Sequence, residues 1–150
     1  MNLWMCMRHD ILQVNAFLAL ILGAGEEPLR VLEARDGGAL WCFMPQSALI
    51  LRPGGTISGP SLMTVADTAM YACVLYHYGR VEQAVTQSLN IHFLNRPQPG
   101  DLYAHVEALR CGRRSVVLDV RLYAGDAERR VAQASGVYAL PSDFMPNQDI

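Results

Sequence analysis

Hydrophobic and polar positions divide the chain into a short amphipathic segment, one long apolar run and a series of alternating stretches. In ILQVNAFLALILGA, Ile11, Leu12, Val14, Leu18 and Ile21/Leu22 fall broadly on one side at helical spacing, with Asp10 as N-cap and Gly23 as the stop. Gln13 and Asn15 interrupt this run and Asp10 removes a positive flank, so a helix is preferred over a signal peptide. It is also too short to span a membrane. The seven residues before Arg8 read as a start-site extension with little structure. Leu29 to Glu33 and Ala39 to Met44 read as strands around the turn Asp36-Gly37-Gly38. Ala48 to Leu51 reads as a third, before the breaker Arg52-Pro53-Gly54-Gly55.

From Ser61 to Tyr78 the chain runs without glycine or proline and is apolar almost all round. A helix of that kind has to be enclosed by other structure. Ser58 suits its N-cap, Pro60 its first turn and Gly79 its end. Val81 to Leu94 follows, with Leu89, Ile91 and Phe93 alternating against Ser88, Asn90 and His92. Asp101 to Arg110, Ser115 to Tyr123 and Arg129 to Leu140 complete a set of strands joined by short turns, at Arg96 to Gly100, Gly112 to Arg114 and Gly125-Asp126. The pattern predicts an α+β fold: a long central helix wrapped by an antiparallel sheet of five to six strands. Residues 1–150 read as a single domain, with residues 1–28 forming an N-terminal extension and helix.

Composition narrows the chemistry. All twelve basic residues are arginine, which excludes a Schiff-base lysine, a phosphate-loop lysine and a Ser–Lys dyad. The four cysteines form no CxxC pair and the four histidines no HExxH or facial-triad spacing, so no metal or cofactor is expected and a reduced, cytoplasmic protein fits. With a net charge of −2 and no basic stripe interleaved with aromatics, nucleic acid is not an expected partner, nor is a membrane. Cys73 reads as a core residue, His92 and His105 as core or sheet-face residues, and His77 as placed to meet the helix dipole.

Asp67 is the only acidic residue between Asp36 and Glu82, and it lies in the middle of the apolar helix. A carboxylate there needs a partner. Either a nearby hydroxyl such as Thr64 or Thr68 supplies it, or the group faces a cleft and works as a base or nucleophile.

GGTISGPSLMTVADTAMYA, AVTQSLNIHFLNRPQPGD, LRCGRRSVVLDVRLY and VAQASGVYALP, taken in that order, resemble the hotdog-fold acyl-CoA thioesterases of the phenylacetate-pathway (PaaI) type over about residues 45 to 141. The resemblance implies that Asp67 is the base or nucleophile and that Thr86 orients the attacking water. It further implies that the Gly59 N–H, with the Ser58 hydroxyl beside it, holds the thioester oxygen at the helix N-terminus. Three positions depart from the family pattern. Ser58 stands for a histidine, Pro60 for a second glycine and Arg52 for an asparagine. Pro60 removes one backbone donor, and Arg52 suits a carbonyl or a phosphate.

The implied substrate is an acyl-CoA. The implied assembly is a homodimer, or a dimer of dimers, with sites shared between subunits. Arg96, Arg110, Arg113 and Arg114 lie at or beside turns, where coenzyme A phosphates could be met. The competing reading is a non-catalytic acyl-CoA-binding module of the same fold. A dehydratase or hydratase lacks a recognisable His–Asp or His–Glu pair, and a DNA-binding regulator lacks a helix-turn-helix segment.

Overall fold

Ser58 starts the central helix. Its side chain accepts a hydrogen bond from the Ser61 N–H, Pro60 occupies the first turn, and the helix then runs unbroken over Gly59–Tyr78. Gly79, at φ 81°, ends it. The computed structural model describes residues 8–22, 29–125 and 129–144. In chain order these form α1 (Ile11–Ile21), β1 (Arg30–Ala34), β2 (Leu40–Met44), α2 (Gly59–Tyr78), β3 (Val85–Phe93), β4 (Leu102–Cys111), β5 (Ser115–Ala124) and β6 (Arg130–Ala139). The strands form one antiparallel sheet in the order β1-β2-β4-β5-β6-β3, with α2 packed against it. This is the hotdog layout.

The core lies between α2 and the concave face of the sheet. Leu62, Val65, Ala66, Ala69, Met70 and Cys73 of α2 meet Leu102, Ala104 and Val106 of β4, Leu118, Val120 and Leu122 of β5, and Ala132 and Ala134 of β6, all buried. Each large side chain in this layer contributes roughly 1.5–3 kcal/mol by leaving water. The enclosure is incomplete, however. Met63 and Thr64 are exposed, while Asp67, Thr68 and Tyr71 are only half-buried, so one stripe of α2 stays open beside β3. β3 itself pairs only with β6 among the described residues, and Val85 and Phe93 are more than half exposed.

Strand boundaries fall within a few residues of expectation, with two exceptions. Val81 to Gln83 forms a turn before β3. The segment expected as a strand from Ala48 to Leu51 is instead a 3-10 turn, Gln46–Ala48, followed by a single bridge from Leu51 to Ile57. The Ile50 N–H bonds to the Ser61 hydroxyl, so its backbone is tied to α2 rather than to the sheet.

α1 begins at Asp10 as expected, but its inward stripe is Val14, Phe17 and Leu18, whereas Leu12 is 72% exposed and Ile21 and Leu22 lie near the surface. The side chain of Asn15 sets this rotation: it accepts from the Val31 N–H at 2.8 Å and donates to the Val31 carbonyl at 2.9 Å, docking the helix on β1. Gly23, Asp126 and the first seven residues lie outside the described residues. Among the described residues, no helix is long and apolar enough to cross a membrane.

Candidate active site

The Asp67 carboxylate sits on the open stripe of α2, held by two hydroxyls from the sheet. Thr86 Oγ1 donates to its Oδ1 at 2.6 Å, and the Tyr138 hydroxyl donates to the same oxygen at 2.8 Å. Thr86 and Tyr138 are direct partners across the β3–β6 ladder, so both side chains point to the same face, the one covered by α2. Thr64 and Thr68 do not serve the carboxylate. Each bonds back to a carbonyl one turn earlier, those of Pro60 and Thr64. Thr86 therefore holds Asp67 itself, and Oδ2 accepts no hydrogen bond among the described residues.

Tyr138 is the residue that sequence reasoning missed. Only 3% exposed, it stacks on Tyr71 with ring centroids 6.1 Å apart. Burial, and then the carboxylate it faces, raise its phenol above the usual tyrosine range, while the bond with Thr86 pulls the other way. It stays a protonated donor at neutral pH. One signal was available: along VAQASGVYALP the inward positions Ala132, Ala134 and Gly136 are small, and the next in that series is a large side chain with a hydroxyl.

The second element of the site is the N-terminus of α2. The Ser58 hydroxyl is 3.2 Å from the Ser61 N–H it caps and donates to the Ser61 hydroxyl at 3.0 Å, with only 6% of the residue exposed. It is spent on the helix start. Gly59 lines a cleft of about 640 Å³ together with Arg52, Ile57, Leu62, Phe93 and Arg96. The Phe93 ring lies 3.4 Å from where a Cβ on Gly59 would stand, so the ring packs directly beside the helix start. The Arg52 and Arg96 loops are tied by the Ile57 N–H to the Pro97 carbonyl at 3.1 Å. No carboxylate pairs with either arginine among the described residues. Pro60 is exposed beside the cleft.

The predicted arginines thus separate into two groups. Arg110, Arg113 and Arg114 are exposed around the β4–β5 turn, next to the end of β6 that carries Tyr138. Arg52 and Arg96 lie by Phe93, which pairs with Ala132 at the other end of that strand, about 20 Å away at the usual strand rise.

Cys42, Cys73 and Cys111 form no disulfide among the described residues, the first two being buried in the core, and Cys6 lies outside the described residues. His92 is exposed. His105 lies on the outer sheet face with a buried Nδ1 that has no hydrogen-bond partner among the described residues. Burial lowers the pKa of His77 despite its position near the end of α2, and its Nε2–H donates to the Gly38 carbonyl at 3.0 Å. The fit is close, because a Cβ on Gly38 would lie 2.6 Å from His77 Cε1.

Comparison with known proteins identifies the family. The family model described as Thioesterase superfamily matches residues 54–130. A Pseudomonas aeruginosa protein carried under the name of an esterase, PA0474, is 35% identical over 89 residues, which cover 59% of this chain and 65% of that relative's length. The structure of a Silicibacter sp. TM1040 protein named as a thioesterase superposes with a TM-score of 0.78 at 32% identity, covering 89% of this chain and 92% of that one. A Streptococcus pneumoniae protein, named as a thioesterase and solved with coenzyme A, shares the fold at a TM-score of 0.63 and 20% identity over 84% of this chain and 93% of its own. The matched residues take in the Gly59 helix start, Asp67 and Thr86 together, and the chain belongs to the thioesterase superfamily.

Proposed function

We propose that the chain is an acyl-CoA thioesterase of the phenylacetate-pathway type, with the Asp67 carboxylate as its reacting group. The observation that carries this reading is the carboxylate itself, fixed by two hydroxyls through one oxygen with the other left open. In the base route, Oδ2 takes a proton from water and the hydroxide oxygen bonds to the thioester carbon. The C–S bond then breaks, and the departing thiolate takes the proton back from Asp67. In the nucleophile route, Oδ2 itself bonds to that carbon as the thiolate leaves, and water then cleaves the resulting anhydride. Both routes give a free acid and coenzyme A. In both, the carbonyl oxygen collects negative charge on the Gly59 N–H, where the helix dipole favours it.

This reading requires two copies of the chain. Eight residues of α-helix put about 12 Å between Gly59 and Asp67 along the axis, whereas reacting atoms approach to about 3–3.5 Å. β3 supplies the means. It is an edge strand, and antiparallel pairing of two β3 strands about their middle would bring the Thr86 end of one copy beside the Phe93 end of the other. The open stripe of α2 and the exposed Val85 and Phe93 would be covered at the same time. The Arg52 and Arg96 cleft of one subunit would then meet the Arg113 and Arg114 turn of the other, a surface suited to the phosphates of coenzyme A.

Pro60 favours a second reading, because the helix start lacks the donor that a glycine there would supply. A module with a weakened oxyanion site would bind acyl-CoA without cleaving it. Free thiol released from a panel of aryl, medium-chain and long-chain acyl-CoA esters separates the two: turnover supports the enzyme, and thermal stabilisation without turnover supports the binder.

A further inference from the structure

We propose that Tyr138 is a positioning residue for the reaction, which together with Thr86 saturates Asp67 Oδ1 and so makes Oδ2 the reacting oxygen. The inference rests on the thioesterase reading above. Two hydroxyl donors, at 2.6 and 2.8 Å, converge on Oδ1 from neighbouring strands at directly paired positions. An aspartate on an open helix face, held by neither, would turn about its last side-chain bond and present either oxygen.

The Tyr138 hydroxyl also lies 3.0 Å from the backbone carbonyl of Asp67, so the ring is referenced to the helix as well as to the carboxylate. Its other face is fixed by Tyr71, whose own hydroxyl donates to the Glu82 carbonyl at 3.3 Å. Close approach of α2 to β6 makes the contact possible: a Cβ at Gly136, two residues before Tyr138, would lie 2.6 Å from Met70 Sδ. A phenol enclosed in this way has both of its acceptors on one residue, the Asp67 Oδ1 at 2.8 Å and the Asp67 carbonyl at 3.0 Å. Oδ2 is left toward the open stripe of α2, where substrate and a second subunit would arrive.

The test is steady-state hydrolysis of one good acyl-CoA substrate by the wild type, Tyr138→Phe, Asp67→Asn and the double variant. Tyr138→Phe keeps the ring and its stacking on Tyr71. It should lower kcat about 10- to 100-fold, as expected for losing one hydrogen bond to a charged group, with KM changed less than about twofold. In the Asp67→Asn background the same replacement should change the residual rate less than about twofold. An unchanged or raised kcat overturns the proposal, and so does a fall as large in the Asn background, which marks general disruption. Should Tyr138→Phe not fold, 3-fluorotyrosine placed at 138 alters only the acidity of the donor. It must then shift kcat at constant KM, and an unshifted kcat counts against the role. A wild type that cleaves no thioester defeats the thioesterase reading instead.

Discussion

Thr86 and Leu89 lie three residues apart on one strand and face the same side of the sheet. Regular alternation forbids this. A bulge permits it: in the ladder with β6, Thr86 pairs with Tyr138, Ser88 with Val137 and Leu89 with Gly136, leaving Gln87 as the extra residue. Leu89 and Ile91 therefore pack on the core, and Phe93 flanks Gly59, while Thr86 still reaches Asp67.

Replacing Thr86 with valine keeps the branched shape and removes the 2.6 Å bond to Asp67. Loss of a hydrogen bond to a charged group corresponds to about a 10- to 100-fold fall in kcat. The thermal midpoint should move little, because the site is exposed. Turnover and melting curves measured side by side check this.

Gly136 has no room for a side chain. An added Cβ would stand 2.6 Å from Met70 Sδ and 3.0 Å from the Ser88 carbonyl oxygen. The methionine can yield and the backbone oxygen cannot, so Gly136→Ala should destabilise by about 1–3 kcal/mol. Urea unfolding reads the change. Combined with Met70→Ala, the loss should be smaller than the sum of the two single losses.

His77 gives stability a pH dependence of known sign. Burial, the largest cause, lowers its pKa below the usual 6.5, the bond to Gly38 opposes that, and Arg8 adds to the lowering. The unfolded chain takes up a proton as pH falls through 6.5, while the folded one resists. The stabilisation is thus complete above that pH and lost progressively below it. The thermal midpoint should fall from about pH 7.5 to about pH 5.5, and His77→Gln should flatten that slope. A residual slope of the same sign is expected from His105, whose pKa is also lowered, first by burial and then by Arg121.

A site shared between two copies predicts complementation. Asp67→Asn and Gly59→Val should each be inactive alone. Mixed and reassociated in equal amounts, half of the dimers pair unlike chains and hold one intact site of two, restoring about a quarter of wild-type activity. A site contained within one chain would give no recovery.

Much of this fold could be read in advance. The long run free of glycine and proline, with Ser58 before it and Gly79 after it, marked α2, and turn residues marked most strands. Asp67 stood out as a lone carboxylate in that run. The rest depended on contacts remote in sequence. Tyr138 became a partner only through pairing with a strand more than forty residues earlier. The face of Thr86 turned on one bulge that alternation cannot show. Ile50 was claimed by a serine on α2, and the rotation of α1 was set by Asn15 rather than by its leucines. The departure from full enclosure has a physical reason too, since the open stripe of α2 carries the carboxylate and borders the edge strand.

In the proposed reaction one carboxylate oxygen on α2 does the chemistry. Asp67→Asn keeps the size and shape of the side chain and removes its charge and basicity. Measured against a panel of acyl-CoA esters at saturating substrate, this variant should lose at least about 100-fold in kcat, the scale of a lost general base. Hydrolysis at the wild-type rate would exclude Asp67 as the reacting group.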